Sequence, residues 1–204
     1  MNRWIFLFLV SFFLSCNIQD QKVVILSKSS QNYVNWIASD SLIIIDAYNS
    51  KSLDSLLSVA SGIILTGGED INPLEYNDSS NIMLCGPINY FRDTLERKLF
   101  DFALSNKLPL IGVCRGMQVI NYFYKGRQKR IKNHMRTRHN VYFEDKFFNK
   151  KKLNVNSFHN FGIPINLLAK CLVPIALDKS KNVEFFKHNK LKIFGIMFHL
   201  EREK

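Results

Sequence analysis

The stretch that most constrains this chain is a short apolar run, residues 108–113, ending at Cys114 between Gly112 and Gly116. A brief apolar run bounded by turn residues reads as a buried strand. Residues 115–124 follow with Met117, Ile120 and Tyr124 on one side of a helix. A strand that turns directly into a helix leaves its junction residue in a strained backbone, which pushes the side chain out at the sheet's edge. The flanking glycines give that turn room because they carry no Cβ. The helix N-terminus adds a partial positive charge beside the sulfur. An ordinary thiol titrates near about 8.5, so thiolate chemistry at neutral pH needs such help. A buried structural cysteine is the competing expectation.

The rest of the chain supplies a sheet for this turn. Residues 22–27, 42–45 and 62–65 read as strands, the last two fully buried. Residues 28–40 read as a polar, aromatic-dotted loop or short helix. Residues 52–60 carry Leu53, Leu56, Leu57 and Ala60 at helical spacing. The clearest helix covers 89–106, with Phe91, Leu95, Leu99, Phe102 and Ala103 on its apolar face. Arg92, Asp93, Glu96, Arg97 and Lys98 are expected off that face. Shorter strands are expected at 141–144, 153–155, 171–176 and 183–186. Strands alternating with helices predict an α/β fold: a three-layer sandwich around a mostly parallel central sheet covered on both faces. Cys114 then lies at the carboxyl end of a parallel strand, where open α/β sheets bind ligands. No internal repeat or linker divides the chain, so residues 21–204 are expected to form one domain.

Charge and cysteine usage narrow the partners. The formal net charge is +11, which favours anionic substrates or surfaces. The basic stretch at 125–139 reads as a phosphate-facing loop, a nucleic-acid patch or a plain solvated face. It lacks interleaved aromatics for base stacking, so no nucleic-acid partner is expected. The four cysteines form no CxxC pair, which suits a reducing compartment. No ligand cluster of metal spacing is visible, so neither metal nor cofactor is expected. Residues 1–20 contain an apolar run at 4–14 after Asn2-Arg3 and before Ser15-Cys16. They read as a signal or anchor segment or an N-terminal extension, since a span takes about 20 apolar residues.

The chain closes on Ile193-Phe194-Gly195-Ile196-Met197-Phe198-His199-Leu200-Glu201. In extended geometry His199 and Glu201 share a face, where a carboxylate orients an imidazole. Thr66-Gly67-Gly68-Glu69-Asp70 follows a strand and allows close backbone approach. An elbow cysteine, a His-x-Glu pair, and backbone N–H groups at the Gly67-Gly68 turn and at Arg115 are the parts that cysteine attack on an amide requires.

These segments resemble the class I glutamine amidotransferase superfamily, and within it the γ-glutamyl hydrolase branch called peptidase C26. The likeness rests on Leu65 to Asp70, Arg92-Asp93-Thr94-Leu95-Glu96, Pro109 to Gln118, Asn156-Ser157-Phe158-His159-Asn160 and Gly195 to Glu201, in the family's order. It implies a flavodoxin-like fold and a triad of Cys114, His199 and Glu201. It also implies oxyanion donors at Gly68 and Arg115, beside Gly67. Gln118 would face the γ-glutamyl group, with Ser157 and His159 near its α-amino and α-carboxyl ends. The family usually has proline where Leu200 stands, and usually continues beyond Glu201. A looser His199–Glu201 geometry and a truncated end are therefore expected.

Residues 156–161, 184–188 and 194–203 carry a narrower likeness. It implies hydrolysis of a γ-glutamyl linkage to cytidine diphosphoramidate, in making a capsule decoration. A nucleotide substrate would place the reaction in the cytoplasm, with tethering through the N-terminal segment as the alternative. A γ-glutamyl-amine hydrolase, a glutaminase subunit feeding ammonia to a synthetase, and a non-catalytic homologue are the competing expectations. In each catalytic case the partner is a small γ-glutamyl compound, and no oligomeric state is implied.

Overall fold

The computed structural model describes residues 21–76, 78–144 and 151–203. Its centre is a nine-stranded sheet. One half is parallel: β1 (Lys22–Leu26), β2 (Leu42–Asp46), β3 (Ala60–Leu65), β4 (Leu110–Val113) and β11 (Ile193–Ile196). The other half is antiparallel: β6 (Met135–Phe143), β7 (Lys152–Phe158), β9 (Leu172–Leu177) and β10 (Val183–His188). The spatial order is β2-β1-β3-β4-β11-β10-β9-β6-β7, while β5 (Lys129–Arg130) and β8 (Phe161–Gly162) form a separate pair. Among the described residues four α-helices accompany the strands: α1 (Gln31–Ile37), α2 (Leu53–Ser58), α3 (Tyr90–Ser105) and α4 (Arg115–Phe123).

The chain steps from β1 to β2 in one direction and from β3 to β4 in the other. Because such crossovers are right-handed, α1 and α3 fall on opposite faces, which makes three layers. The carboxyl ends of β3, β4 and β11 lie side by side, with Leu65 level with Gly112 and Ile196 level with Val113. That shared edge brings together the Gly67-Gly68 loop, Cys114 and His199.

Several expectations change in the structure. β2 is an edge strand, so it is only half-buried, with Ile43 41% exposed. On α3, Phe91 is exposed, whereas Arg92 and Glu96 are buried, because partners on neighbouring elements wait for their charges. The basic stretch supplies β5 and the start of β6; its lysines and arginines are exposed, but His134 is buried. After β11 the chain does not stay extended: Leu200–Arg202 form a 3-10 turn capped by His199. Residues 1–20 and Lys204, and with them the signal or anchor expectation, lie outside the described residues. Among the described residues no helix is long and apolar enough to cross a membrane.

Candidate active site

Cys114 occupies the junction of β4 and α4 with φ 50° and ψ −103°, the strained geometry expected of an elbow. Its N–H donates to the Ile196 carbonyl at 2.7 Å, which ties the elbow to β11. The helix can leave the strand so sharply because of its glycines. A Cβ on Gly116 would lie 2.0 Å from the Leu65 carbonyl oxygen, and one on Gly112 would lie 2.4 Å from the Gly116 carbonyl. Any side chain at either position would push α4 off the sheet.

His199 faces the sulfur from the end of β11. Its Nδ1 lies 2.6 Å from Glu201 Oε1, both side chains being buried. The pairing survives the 3-10 turn because His199 itself stays extended while Leu200 is driven into the core, 5% exposed. The looser geometry expected without proline is therefore not found: core packing of Leu200 does the work of a ring. His199 Nε2 makes no aligned hydrogen bond among the described residues. Resting sites often hold such contacts loosely until substrate arrives. Burial alone would lower the His199 pKa, but the nearby Cys114 sulfur and the Glu201 carboxylate raise it to about 9. Asn156, on β7, clamps the histidine backbone: its Oδ1 accepts from the His199 N–H at 2.8 Å and its Nδ2 donates to the His199 carbonyl at 2.7 Å.

The loop after β3 is held from beneath by Arg92. This guanidinium donates to the Thr66 and Gly67 carbonyls at 2.9 Å, to Glu96 Oε1 at 2.9 Å and to Glu69. Gly68 has φ +156°, and a Cβ there would sit 2.0 Å from Arg92 Nη1, so only glycine fits. Glu96 also accepts from Arg115 Nε at 3.0 Å, while Arg115 reaches Asp93 at 2.6 Å and the Glu69 carbonyl at 3.0 Å. The side chain following Cys114 is thus locked, which fixes the direction of its backbone N–H. No described residue accepts from the Gly68 or Arg115 N–H.

Tyr33, on α1, was not legible as a site residue. Its hydroxyl accepts from the Gly67 N–H at 2.7 Å. Burial, and then the Glu201 charge, raise its pKa well above the ordinary value. One phenol therefore holds the glycine loop while lying within reach of the charge behind His199. Beside these groups lies a cleft of about 330 Å³ whose walls include Gly68, His199, Lys28 and Arg202.

The remaining expected residues sit deeper. Gln118 is buried, its amide donating to the Phe161 carbonyl at 2.8 Å. Ser157 donates to the His134 carbonyl at 2.6 Å, and His159 Nδ1 lies 2.9 Å from the same Phe161 carbonyl. Neither Ser157 nor His159 lines the cleft beside His199. Both instead border a buried group of His134, His139 and Glu184, whose ligand-capable atoms all lie within 4.8 Å of one another. The expectation that no metal-spaced cluster exists is corrected here. It failed because 134, 139 and 184 meet only through the β6-β9-β10 pairing.

A family model described as Peptidase C26 matches residues 14–201. The chain is 38% identical over 141 residues to the γ-glutamyl-CDP-amidate hydrolase of Campylobacter jejuni, covering 69% of this chain and 62% of that one, under two thirds of its length. It is 25% identical over 173 residues to one component of the glutamine-hydrolysing GMP synthase of Methanococcus vannielii, covering 84% of this chain and 79% of that one. The structure of a glutamine amidotransferase from Thermotoga maritima superposes with a TM-score of 0.64 over 90% of this chain and 77% of the other, at 18% identity. That last likeness speaks for the fold alone.

Proposed function

The chain belongs to the peptidase C26 family, and from that premise we propose that it hydrolyses a γ-glutamyl amide through Cys114, His199 and Glu201. The observation that carries this reading is the strained Cys114 facing a His199 ring that Glu201 holds at 2.6 Å. The Cys114 thiolate attacks the γ-carbonyl, and the C–O π pair moves onto oxygen. The Gly68 and Arg115 N–H groups receive that oxyanion, for which preorganised donors are worth roughly 10²–10³-fold each. As the C–N bond breaks, His199 passes its proton from Nε2 to the leaving nitrogen. Glu201 keeps Nδ1 protonated and the ring oriented. Water, deprotonated by the now neutral His199, then cleaves the thioester and frees glutamate. Arg92, Tyr33 and Asn156 touch no reacting atom; they position the loop and the ring.

The substrate we propose is γ-glutamyl-CDP-amidate, giving glutamate and cytidine diphosphoramidate for a capsule decoration. Likeness to the Campylobacter enzyme supports it; on the cleft beside His199, Lys28 and Arg202 stand with Glu69 and Glu201, Lys28 bonded to Glu69 at 2.6 Å. A nucleotide substrate fits a cytoplasmic reaction. Likeness to the GMP synthase component favours a second reading, glutamine hydrolysis that feeds ammonia to a partner.

The test is glutamate release from γ-glutamyl-CDP-amidate, a γ-glutamyl-amine and free glutamine. The CDP-amidate is expected to be turned over fastest, and Cys114→Ala to reduce turnover by roughly 10⁴-fold or more. Full activity in that variant overturns the mechanism. Turnover of glutamine alone, and only with a synthetase partner present, replaces the substrate assignment.

A further inference from the structure

The His134, His139 and Glu184 group is separate from the proposed chemistry and is built unlike an ordinary buried ion pair. Glu184 has no solvent exposure, yet neither carboxylate oxygen has a hydrogen-bond partner among the described residues. A buried carboxylate without partners costs several kcal/mol or more. Three imidazoles converge on its Oε1: His139 Nε2 at 3.5 Å, His134 Nδ1 at 3.8 Å and His159 Nε2 at 4.0 Å. Both ring nitrogens of His139 and the Nε2 of His159 also lack partners.

The outward nitrogens of two of these rings are already occupied. His134 Nε2 lies 3.1 Å from Asp178 Oδ2, and His159 Nδ1 lies 2.9 Å from the Phe161 carbonyl. Each contact keeps a proton on the outward nitrogen, so either ring, when neutral, turns a lone pair inward. The one competing contact at His134 Nδ1 is Ser157 Oγ at 3.4 Å, and that hydroxyl already donates to the His134 carbonyl at 2.6 Å. Lone pairs aimed at a carboxylate oxygen repel unless a cation stands between them. Metal-binding histidines use this same support, the far nitrogen bonded to a carboxylate or a backbone carbonyl.

We infer that His134, His139 and Glu184 bind one divalent cation of the zinc class, the fourth position being left to water. Zinc takes imidazole nitrogen and carboxylate oxygen at about 2.0–2.2 Å, so tetrahedral ligand atoms stand about 3.3 Å apart. The 3.5 and 3.8 Å contacts of His139 Nε2 and His134 Nδ1 to Glu184 Oε1 need to close by only a few tenths of an ångström, and the ligand-capable atoms of the three residues all lie within 4.8 Å of one another. Two imidazoles and one carboxylate suit zinc better than magnesium or calcium, which prefer all-oxygen sites. His139 is the least buried of the three, its side chain 17% exposed. Bound there, the ion would join the segment before β6, β6 itself and β10.

The experiment uses the full chain as Cys114→Ser, which removes the one thiol near His199 and any zinc the pair would capture. After chelator treatment and dialysis against micromolar zinc, elemental analysis is expected to find one zinc per chain. Cobalt in its place is expected to give visible d–d bands without thiolate charge transfer. Glu184→Gln and His139→Ala should each weaken zinc at least tenfold, and Asp178→Asn, acting through His134, by roughly 10–100-fold. No retained zinc, or retention unchanged in both ligand variants, overturns the inference. Should Glu184→Gln fail to fold, His139→Ala, altered at the least buried member, decides it alone. Hydrolase activity plays no part in the readout, so the site and the proposed reaction stand or fall separately.

Discussion

Glu96 and Glu184 are both carboxylates with no exposed surface, and the structure treats them in opposite ways. Glu96 is saturated: Ser27 Oγ donates to Oε1 at 2.9 Å, Arg92 Nε to the same oxygen at 2.9 Å, and Arg115 Nε to Oε2 at 3.0 Å. Glu184 has imidazoles around it and no formed bond. Burying charge is tolerable only when partners replace water. The saturated carboxylate is therefore scaffold, placed to hold the glycine loop and the residue after Cys114. The unsaturated one has the features of a site.

That contrast can be tested most severely through Glu96→Gln. Two buried guanidinium groups would lose their shared counter-charge, at a cost of about 3–5 kcal/mol. For a chain of this size each kcal/mol lowers the melting temperature by roughly 2–4 °C. Calorimetry should therefore find a drop of about 6–20 °C. A drop within a degree or two would mean that the Arg92–Glu96–Arg115 network is not scaffold.

Glu201 sharpens the comparison because it stands between the two, committed to one titratable ring. His199, raised to about 9, loses its proton as pH climbs through that value. The rate of γ-glutamyl hydrolysis should fall along an alkaline limb near pH 9, since neutral His199 has no proton for the leaving nitrogen. Glu201→Gln removes one cause of the raised value, so the limb should move toward neutral pH; a limb that stays put dissociates Glu201 from His199. The same sign applies to stability. A histidine whose folded pKa exceeds its ordinary 6.5 contributes fully below that value, and the contribution is lost as pH rises through about 9.

The smallest effect belongs to Glu184→Gln in zinc-free protein. No formed hydrogen bond is lost and a buried charge is removed, so the melting temperature should change by no more than a few degrees, in either direction. A loss as large as that of Glu96→Gln would erase the distinction between the two carboxylates.

What could be read from the sequence follows the same division. The elbow was legible because its signals are adjacent: an apolar strand, Cys114 and two glycines within nine residues. The alternation of strands and helices gave the parallel half for the same reason. Arg92 and Glu96 were misplaced because a helical wheel sorts residues by polarity, whereas their burial depends on Ser27, Thr66 and Arg115 across the fold. His134 and His139 were hidden inside a basic run whose other members do face water. His199 and Glu201 were paired correctly by a wrong route, since a 3-10 turn, not a continuing strand, joins them.

Gly116 touches the backbone of Leu65, the last residue of β3, and the Gly67-Gly68 loop begins two residues further on. The Cys114 sulfur and the loop opposite it therefore hang from a single hook. Thermal displacement of β3 carries both in step, so the gap between them is insulated from breathing of the sheet as a whole. Widening that gap would take a bulkier residue at 116, acting as a wedge from behind without altering any group that meets the substrate.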